Sequence, residues 1–313
     1  MKSSEKFLSV IVPLCNEEGN VENLHREILE TFRQNNLTGE IIFVDDGSVD
    51  RTVEIAQKLS PLKLIVFRKN FGQTAAVDVG IKKAKGEILI TMDGDLQNDP
   101  KDIPRLLEKL DEGYDVVSGW RKNRKDPFLK KFFSKGADKL RQFLINDQIH
   151  DSGCSLKAYR KECFEKVDLY GEMHRFIPAI LKLKGFRVGE VVVNHRPRKA
   201  GVTKYNYKRL LKGFLDVVSV WFWRKFSSRP LHLFGGMGFF SGILGTVLLG
   251  WMFFDRFFRD IPMGNRIWPM LGIFLILIGI QFFIFGLLAD IMIKTYYQTK
   301  KETPYDVREI SIL

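Results

Sequence analysis

Ile90-Thr-Met-Asp-Gly-Asp-Leu-Gln97 is the stretch around which this 313-residue chain is organised. The run at residues 88–92 is largely apolar and leads into Asp93, and Asp95 follows after the single residue Gly94. A parallel strand that is buried on both faces has such a run, and ligands of α/β proteins bind just beyond the carboxyl ends of these strands. The stretch therefore predicts a buried parallel strand that ends at a ligand site.

The two acids at the end of this strand are candidate metal ligands. Two carboxylates this close in sequence repel one another unless a cation lies between them. Mg²⁺ is commonly held by one or two carboxylates together with phosphate oxygens of a substrate, so Asp93 and Asp95 suit a divalent cation that bridges phosphates. The alternative is an ordinary surface turn, because Asp-Gly-Asp is also common turn chemistry.

Short apolar runs alternate with helical patterns on both sides of this stretch. The predicted strands lie at residues 8–12, 40–44, 64–67, 88–92, 115–118 and 186–194, and the predicted helices at 21–32, 52–59, 73–84 and 103–110. Asp50 and Asp102 are expected to cap helices, and Gly86 to end one. The alternation predicts a mostly parallel sheet with helices on both faces. No Gly-x-Gly-x-x-Gly follows the first strand and no Walker loop is present, which argues against those two nucleotide-binding folds.

Charge and cysteine content narrow the class of partner. Lys and Arg number 49 against 37 Asp and Glu, a formal net charge of +12, and such a basic chain favours nucleic acid, anionic lipid or phosphorylated small molecules. Cys15, Cys154 and Cys163 match no zinc spacing and are interpreted as reduced thiols of a cytosolic domain. The N-terminal apolar run is too short for a signal peptide.

The C-terminal part of the chain has the composition of a membrane hairpin. Residues 231–254 and 267–289 carry no formal charge, and each run meets the length of roughly 20 residues needed to span a bilayer. Buried core helices are the alternative, although such helices rarely run so long without a polar face. Residues 205–226 combine apolar residues at helical spacing with several Lys and Arg, which predicts a helix in the membrane interface or, alternatively, an ordinary docking helix.

The distribution of basic residues predicts the orientation of the hairpin. Six Lys or Arg precede the first run, four follow the second and three lie between them. Cytoplasmic segments carry the excess of positive charge, so we expect both termini and the N-terminal domain to lie in the cytoplasm, with the chain a multi-pass protein of the cell membrane.

Five motifs stand in order along the chain, and together they suggest a family. They are Val12-Pro-Leu-Cys-Asn-Glu-Glu18, Val44-Asp-Asp-Gly-Ser48, Asp93-Gly-Asp-Leu-Gln97, Ser118-Gly-Trp-Arg121 and Arg196-x-Arg-x-x-Gly-x-x-Lys204. Through them the chain resembles glycosyltransferase family 2, and within it the branch of dolichol-phosphate mannose synthases and bacterial undecaprenyl-phosphate sugar transferases. The resemblance covers residues 7–225, and the run Asn70-Phe-Gly-Gln73 looks closest to the formamido-arabinose transferases.

The resemblance implies a fold, a reaction and a domain plan. The fold is that of the nucleotide-diphosphosugar transferases (GT-A), an α/β fold, followed by a two-helix transmembrane hairpin. The reaction is an inverting transfer of one sugar from a UDP- or GDP-sugar to undecaprenyl or dolichyl phosphate, with Mg²⁺ or Mn²⁺ as cofactor. The expected domains are a cytoplasmic catalytic domain at 1–204, interfacial helices at 205–230, a transmembrane region at 231–293 and a cytoplasmic tail at 294–313. The two spans of the transmembrane region are expected at about 231–254 and 267–291. The expected partners are the nucleotide sugar, the lipid phosphate and the membrane, not nucleic acid, with a homo-oligomer left open.

The resemblance also implies site residues, carried over position by position. The residues expected to bind the nucleotide sugar are Pro13, Cys15, Glu17, Val44, Asp46, Asp93, Gly94, Asp95, Gln97, Arg121, Arg198 and Lys204. The expected metal site is Asp93, Asp95 and Gln97. The candidate catalytic residues are Asp95, Arg121, Asp151, Arg198 and Lys204.

One position departs from the family pattern. Some bacterial members carry an acid directly after the glycine that matches Gly153, as a proposed base, whereas this chain has Cys154, and its nearest acid is Asp151. The acceptor is a phosphate monoester, which is already ionised near neutral pH because its second pKa is near 6. Such a nucleophile needs positioning by cations more than it needs deprotonation.

Two other functions are compatible with parts of the sequence. A processive polysaccharide synthase of the same superfamily has a similar first domain, but the chain lacks the Gln-x-x-Arg-Trp motif of those enzymes. A membrane adaptor without activity is the second alternative, and the intact Asp93, Asp95 and Gln97 argue against it.

Overall fold

A mixed sheet forms the centre of the N-terminal part of the chain. The structure is a computed structural model that describes residues 2–122, 149–165, 167–169, 173–197, 222, 230–260 and 267–300. The chain divides into two compact units, Met1–Val220 and Trp221–Leu313. In the first unit, the described strands are Leu8–Leu14 (β1), Gly39–Asp45 (β2), Lys63–Val66 (β3), Ile88–Thr91 (β4), Val116–Trp120 (β5), Lys157–Arg160 (β6) and Val188–Val192 (β7).

The strand order is β3-β2-β1-β4-β6-β5-β7. Strands β1, β2, β3 and β4 pair in parallel, as do β5 and β7, and β6 lies antiparallel between β4 and β5. The mostly parallel sheet that the sequence predicted is therefore confirmed. The antiparallel strand β6 had no counterpart among the predicted strands.

Helices cover both faces of the sheet. The described α-helices of this unit are Val21–Gln34 (α1), Thr52–Ala56 (α2), Gln73–Lys83 (α3), Ile103–Asp111 (α4) and Ile177–Leu183 (α5). Alternate residues of a strand point to opposite faces, so Val10 and Val12 join the core beneath α1 and α4, whereas Ile11 joins the core beneath α3 and α5. This double cover explains why β1, β2 and β4 are nearly continuous apolar runs.

The three local predictions at helix ends are confirmed only in part. Asp102 is the N-cap residue of α4, as predicted, but its side chain makes no capping hydrogen bond. Its carboxylate instead accepts from the Asn194 main-chain amide at 2.6 Å. Gly86 does not end α3. It is needed for a close approach of two backbones, since a Cβ there would lie 2.6 Å from the Ser9 nitrogen. The N-cap residue of α2 is Arg51 and not Asp50, although the Asp50 carboxylate accepts from the Thr52 amide in the first turn at 3.0 Å.

The second unit contains two long apolar helices, Pro230–Phe258 (α6) and Trp268–Lys300 (α7). Both are long and apolar enough to cross a membrane. Glycines bring them together in antiparallel order, because a Cβ on Gly238 would lie 2.5 Å from the Gly279 carbonyl and one on Gly245 would lie 2.6 Å from the Gly272 carbonyl. Small residues at such interfaces are typical of membrane helices.

The outer faces of these helices support membrane association. Large apolar side chains such as Trp251, Phe257 and Met270 are more than 60% exposed, which would be unfavourable in water and is not the pattern of buried core helices. The predicted interfacial helix at residues 205–226 lies outside the described residues, apart from Phe222.

Candidate active site

The carboxyl ends of β1, β2 and β4 meet at one edge of the sheet. Pro13 stands opposite Val44 in the parallel register of β1 and β2. Gly94 lies against the end of β1, where a Cβ would be 2.4 Å from Leu14 Cδ2 and 3.3 Å from the Pro13 carbonyl. Only glycine allows the acidic turn this approach, so Pro13, Val44 and Gly94, all expected at the nucleotide sugar, lie side by side.

The loop after β1 is held by the loop after β2. The Glu17 amide donates to Thr52 Oγ1 at 2.8 Å, and its carboxylate accepts from Asn20 Nδ2 at 2.6 Å. The half-buried Cys15 lies on the other side, with its Sγ 3.5 Å from Asn70 Nδ2. Cys15 and Glu17 thus follow β1 directly at the site edge, and their contacts with a nucleotide stay a prediction.

Asp46 has its carboxylate bound to main-chain donors of the loop after β3. Its Oδ1 accepts from the Phe71 amide at 2.7 Å, and its Oδ2 accepts from the Gly72 amide at 3.0 Å. Gly47 follows in the left-handed region, with a φ of 70°, and a Cβ there would lie 2.5 Å from the carbonyl carbon of Lys69. Asp46 therefore fixes the loop that leads into α3. Its expected contact with the nucleotide sugar stays a prediction.

Asp93 is placed by polar groups from three segments. Its Oδ1 accepts from Gln73 Nε2 at 2.8 Å, at the start of α3, and its amide donates to Asn98 Oδ1 at 3.0 Å. Asn98 Oδ1 also accepts from Ser155 Oγ at 2.8 Å. The pKa of Asp93 is raised, chiefly because the surrounding protein removes the carboxyl from water and secondly because Asp95 repels its charge.

These two acids fit a divalent cation. Asp95 Oδ1 accepts from the Gln97 amide at 3.1 Å, which fixes the buried Asp95 at the turn. Among the described residues no group of three or more His, Cys, Asp or Glu converges as a metal site. A cation held by Asp93 and Asp95 would therefore complete its shell with phosphate oxygens and water, as Mg²⁺ usually does, and it would relieve the repulsion that raises the pKa of Asp93. A ligand role for Gln97 stays a prediction.

Arg121 and Asp151 form a buried two-pronged ion pair. Arg121 Nε lies 2.7 Å from Asp151 Oδ2, and Nη2 lies 2.9 Å from Oδ1. The Arg121 pKa is raised; burial opposes this rise, and the hydrogen bonds and charge of Asp151 outweigh it. Because both carboxylate oxygens bind Arg121, the arrangement favours Asp151 as the residue that orients the Arg121 guanidinium. Phosphate binding by Arg121 stays a prediction. The assignment of Asp151 as a base stays a prediction as well.

Cys154 is a buried thiol at the position where some family members carry an acid. It has no exposed surface, and burial raises its pKa to about 11. A Cβ on the neighbouring strand residue Gly119 would lie 2.9 Å from its Sγ. The side chain therefore packs in the core beside the site as a neutral thiol.

Several site residues were not singled out by sequence reasoning. Gln73 and Asn98 hold Asp93 through uncharged amides, and sequence reasoning had used Gln73 only as part of a resemblance. Lys157 lies on β6 with 2% exposure and within electrostatic range of Asp93 and Asp151. Their position was a weak signal, since Gln73 and Asn98 each stand seven residues beyond a strand and Lys157 begins β6.

The cationic loop, residues 195–204, begins beside the acidic turn Asp93-Gly-Asp95. The Arg196 amide donates to the Gln97 carbonyl at 2.9 Å, and His195 forms an isolated bridge with Asn98. Arg196 itself pairs with Glu27 and Asp99. Arg198 and Lys204, which the sequence singled out, lie outside the described residues.

Comparisons with known proteins agree with this geometry. The family model of glycosyl transferase family 2 matches residues 9–168. A dodecaprenyl-phosphate galacturonate synthase of Rhizobium johnstonii is 41% identical over 97% of this chain and 92% of the relative. An undecaprenyl-phosphate 4-deoxy-4-formamido-L-arabinose transferase of Salmonella choleraesuis is 31% identical over 97% of this chain and 94% of the relative. The galacturonate synthase is the more similar of these two, although the sequence motifs pointed to the formamido-arabinose transferases.

Solved structures share the fold. A glucosyl-3-phosphoglycerate synthase from Mycobacterium tuberculosis with phosphoglyceric acid superimposes with a TM-score of 0.56 at 17% identity, over 70% of this chain and 80% of that chain. The same enzyme with Mn²⁺ and uridine-diphosphate-glucose gives 0.54 at 18% identity, over 70% and 79%. This likeness and the sheet topology confirm the predicted GT-A fold. The chain therefore belongs to glycosyltransferase family 2, in its polyprenyl-phosphate glycosyltransferase branch.

Proposed function

We propose that the protein transfers one sugar from a nucleotide-diphosphosugar to a polyprenyl phosphate at the cytoplasmic face of a membrane, with inversion and with Mg²⁺ or Mn²⁺. The observation that carries the proposal is the meeting of an acid pair, Asp93 and Asp95, with the ends of β1 and β2 at Gly94. The names of the two relatives supply the acceptor class, a polyprenyl phosphate.

On the donor side, the chain's own residues bind and orient the nucleotide sugar. Pro13 and Cys15 lie at the end of the β1–β2 pair, where a base and ribose would lie against the strand ends. Val44, opposite Pro13 in the register, is fully buried. Asp93 and Asp95 would hold the cation, and Gln73 and Asn98 keep Asp93 in place. When bound, the cation would stabilise the negative charge that grows on the departing nucleotide diphosphate.

On the acceptor side, cations position a nucleophile that is already ionised. Arg121 offers a planar guanidinium, and Asp151 fixes its orientation through two hydrogen bonds. Arg198 and Lys204 would add a fork and a point charge to the same phosphate. An acceptor oxygen aimed at the anomeric carbon from the side opposite the leaving diphosphate gives inversion, and no base is required because the phosphate has lost its proton.

The hairpin would keep the enzyme at the lipid acceptor. Helices α6 and α7 are long enough to span a bilayer, and the positive charge that flanks them is larger on the side of the two termini. We therefore place the catalytic unit and both termini in the cytoplasm, where nucleotide sugars are available. A homo-oligomer is compatible with this topology.

The test is a donor panel with the full-length protein in bilayers that contain undecaprenyl or dolichyl phosphate. UDP-galacturonate, UDP-glucose and GDP-mannose are offered with Mn²⁺ or Mg²⁺, and the lipid-linked product is analysed by mass spectrometry. We expect one sugar per lipid with one donor preferred, no product in excess chelator, and an anomeric configuration opposite to that of the donor.

The alternatives give different products. A processive synthase would release a polymer of many sugars, and an adaptor would give no product with any donor. Either result would overturn the proposed function. A retained anomeric configuration or full activity in chelator would overturn only the corresponding part of it.

A further inference from the structure

The antiparallel strand β6 places a buried lysine between the two halves of the proposed site. In the register of the sheet, Lys157 stands opposite Thr91 on β4 and opposite Ser118 on β5. Asp93 follows Thr91 by two residues, and Arg121 follows Ser118 by three. Lys157 thus lies between the strand that delivers the metal-binding acids and the strand that delivers the phosphate-binding arginine.

The Lys157 ammonium bonds to main-chain carbonyls on both sides. Its Nζ lies 3.3 Å from the Ser152 carbonyl and 3.5 Å from the His174 carbonyl. Ser152 is in the loop that carries Asp151, and Asp151 holds Arg121. One ammonium therefore touches both the loop that orients Arg121 and the segment around His174.

The His174 segment leads to the metal side of the site. His174 Nδ1 lies 2.7 Å from Thr74 Oγ1 in the first turn of α3. The preceding residue, Gln73, donates to Asp93 at 2.8 Å. A continuous chain of contacts therefore runs from Arg121 through Lys157 to Asp93.

Such a lysine is costly to keep in a protein interior. It is 2% exposed, and burial lowers its pKa to about 8, although the nearby Cys154, Asp151 and Asp93 act to raise it and Arg121 lowers it further. Carbonyl dipoles replace only part of the lost hydration, and an apolar residue of equal size in such a place is often neutral or stabilising. A buried charge that persists in a site under these conditions is typical of a functional residue.

We propose that Lys157 is a positioning residue that couples the donor half of the site to the acceptor half, by holding the Ser152 and His174 carbonyls to one ammonium. The inference rests on the proposed function for its kinetic consequence, whereas the structural coupling can be measured without any turnover. Lys157 acts through Arg121 and Asp93 and contacts no reacting atom.

The test compares Lys157→Met and Lys157→Arg with Lys161→Met. The methionine removes charge and donors at nearly constant length, and arginine restores both. Lys161 is a matched control because its Nζ also donates to a main-chain carbonyl, that of Ala84 at 2.8 Å, just beyond the other end of β6. If Lys157→Met does not fold, Lys157→Gln, which keeps one donor and loses the charge, takes its place.

The first readout is amide hydrogen exchange. In Lys157→Met we expect exchange to rise roughly tenfold both at residues 152–155 and at residues 173–176, with the melting temperature at or above that of wild type. Lys157→Arg and Lys161→Met should exchange like wild type. Unchanged exchange in Lys157→Met, a rise in only one segment, or an equal rise in the arginine variant would overturn the coupling.

The second readout is the division of the kinetic effect between kcat and KM. Misplaced catalytic groups lower kcat, so we expect a loss of roughly 10–100-fold in Lys157→Met with both KM values nearly unchanged, and recovery in Lys157→Arg. If exchange responds as expected while wild type itself transfers no sugar, the proposed function fails and the coupling stands. If wild type is active and Lys157→Met keeps its full kcat, the positioning role is overturned.

Discussion

Two acidic turns end neighbouring parts of the sheet, and they use their carboxylates in opposite ways. In the turn after β2, Asp46 accepts two main-chain amides, and Asp45 accepts from the Ser48 amide at 2.9 Å. In the turn after β4, Asp93 faces the like charge of Asp95, and its pKa is raised. Both pairs accept hydrogen bonds from the protein, but only the second pair is under a repulsion that raises the pKa of one member and that a cation can relieve. The same residue type therefore stabilises a loop in one turn and suits ligand binding in the other.

The largest loss of activity is expected from a substitution in the turn after β4. Asp95→Asn keeps the shape of the side chain and removes one charge from the acid pair. We expect transfer to fall roughly 10³-fold or more, because stabilisation of the leaving diphosphate is lost. The melting temperature without ligand should stay within a few degrees of wild type, because the repulsion between Asp93 and Asp95 disappears as well.

A thermal shift assay checks this without turnover. Mn²⁺ with UDP should raise the melting temperature of wild type and leave that of Asp95→Asn unchanged, since only binding to the folded state stabilises it. Asp50→Asn is the control, because Asp50 is an acid of the first loop whose carboxylate accepts from the Thr52 amide and hydroxyl. Full activity of Asp95→Asn, or an equal shift with Mn²⁺, would remove Asp95 from the metal site.

The second-largest loss of activity is expected from substitutions in the cationic loop, which starts beside the turn after β4. The Arg196 amide donates to the Gln97 carbonyl at 2.9 Å, so the described start of this loop lies beside the turn that carries the acids. We expect Arg198→Ala and Lys204→Ala each to lower kcat roughly 10²-fold at saturating substrates, as loss of a transition-state contact does. A rise in the KM for the acceptor alone, with kcat intact, would make the loop a membrane-docking feature.

Substitution of Asp46 in the turn after β2 should lower the stability of the protein more than its activity. In Asp46→Ala the amides of Phe71 and Gly72 lose a buried, charged acceptor, which is expected to cost about 3 kcal/mol of the free energy of unfolding. For a domain of this size that corresponds to a melting temperature lower by roughly 6–12 °C. The loop from Asn70 to Gln73 then loosens next to Asp93, so we also expect a rise of roughly tenfold in the donor KM, about 1.4 kcal/mol.

Asp46→Asn separates the two roles of this residue. The amide oxygen can still accept one main-chain N–H, so stability should recover in part. If Asp46→Ala melts like wild type while losing all donor binding, the carboxylate serves the nucleotide and not the loop, and the contrast between the two turns fails.

The sequence predicted the parts of the fold that depend on apolar burial. Strands β1, β2 and β4 are buried on both faces, so their apolar runs were visible, and the acids that follow β4 marked the site. The sequence did not predict β6, because Lys157 and Arg160 break the apolar pattern of Lys157-Ala-Tyr-Arg160, and a lysine is rarely a core residue. It also could not place Gln73 beside Asp93, since that contact depends on how α3 packs onto the sheet.

The smallest expected effect concerns the reactivity of the three thiols, of which Cys15 lies at the end of β1 beside Asn70. Cys154 and Cys163 are at most 1% exposed, and burial raises their pKa values to about 11 and about 12. Cys15 is half-buried at the end of β1. A thiol reacts through its thiolate, so we expect Ellman's reagent at pH 8 to label one thiol of the native protein and all three after unfolding.

Ligand protection and pH dependence complete this prediction. Nucleotide sugar with Mn²⁺ should slow labelling of Cys15 in wild type and not in Asp95→Asn, which links the β1 end to the acid pair.

The stability of the protein should depend on pH through its two buried thiols. In the unfolded chain, Cys154 and Cys163 lose their protons near their ordinary pKa of 9, before they do so in the folded protein. The contribution of Cys154 and Cys163 to stability is therefore complete below pH 9 and lost as the pH rises towards 11–12. In Cys154→Ala the decline of melting temperature above pH 9 should be shallower, and transfer at pH 7.5 should stay within about twofold of wild type, because a neutral core thiol supplies no base. Loss of most activity in Cys154→Ala, or labelling of Cys154 ahead of Cys15, would mean that the thiol reaches the substrate. It would then have to be counted with Arg121 and Asp95 in the reaction.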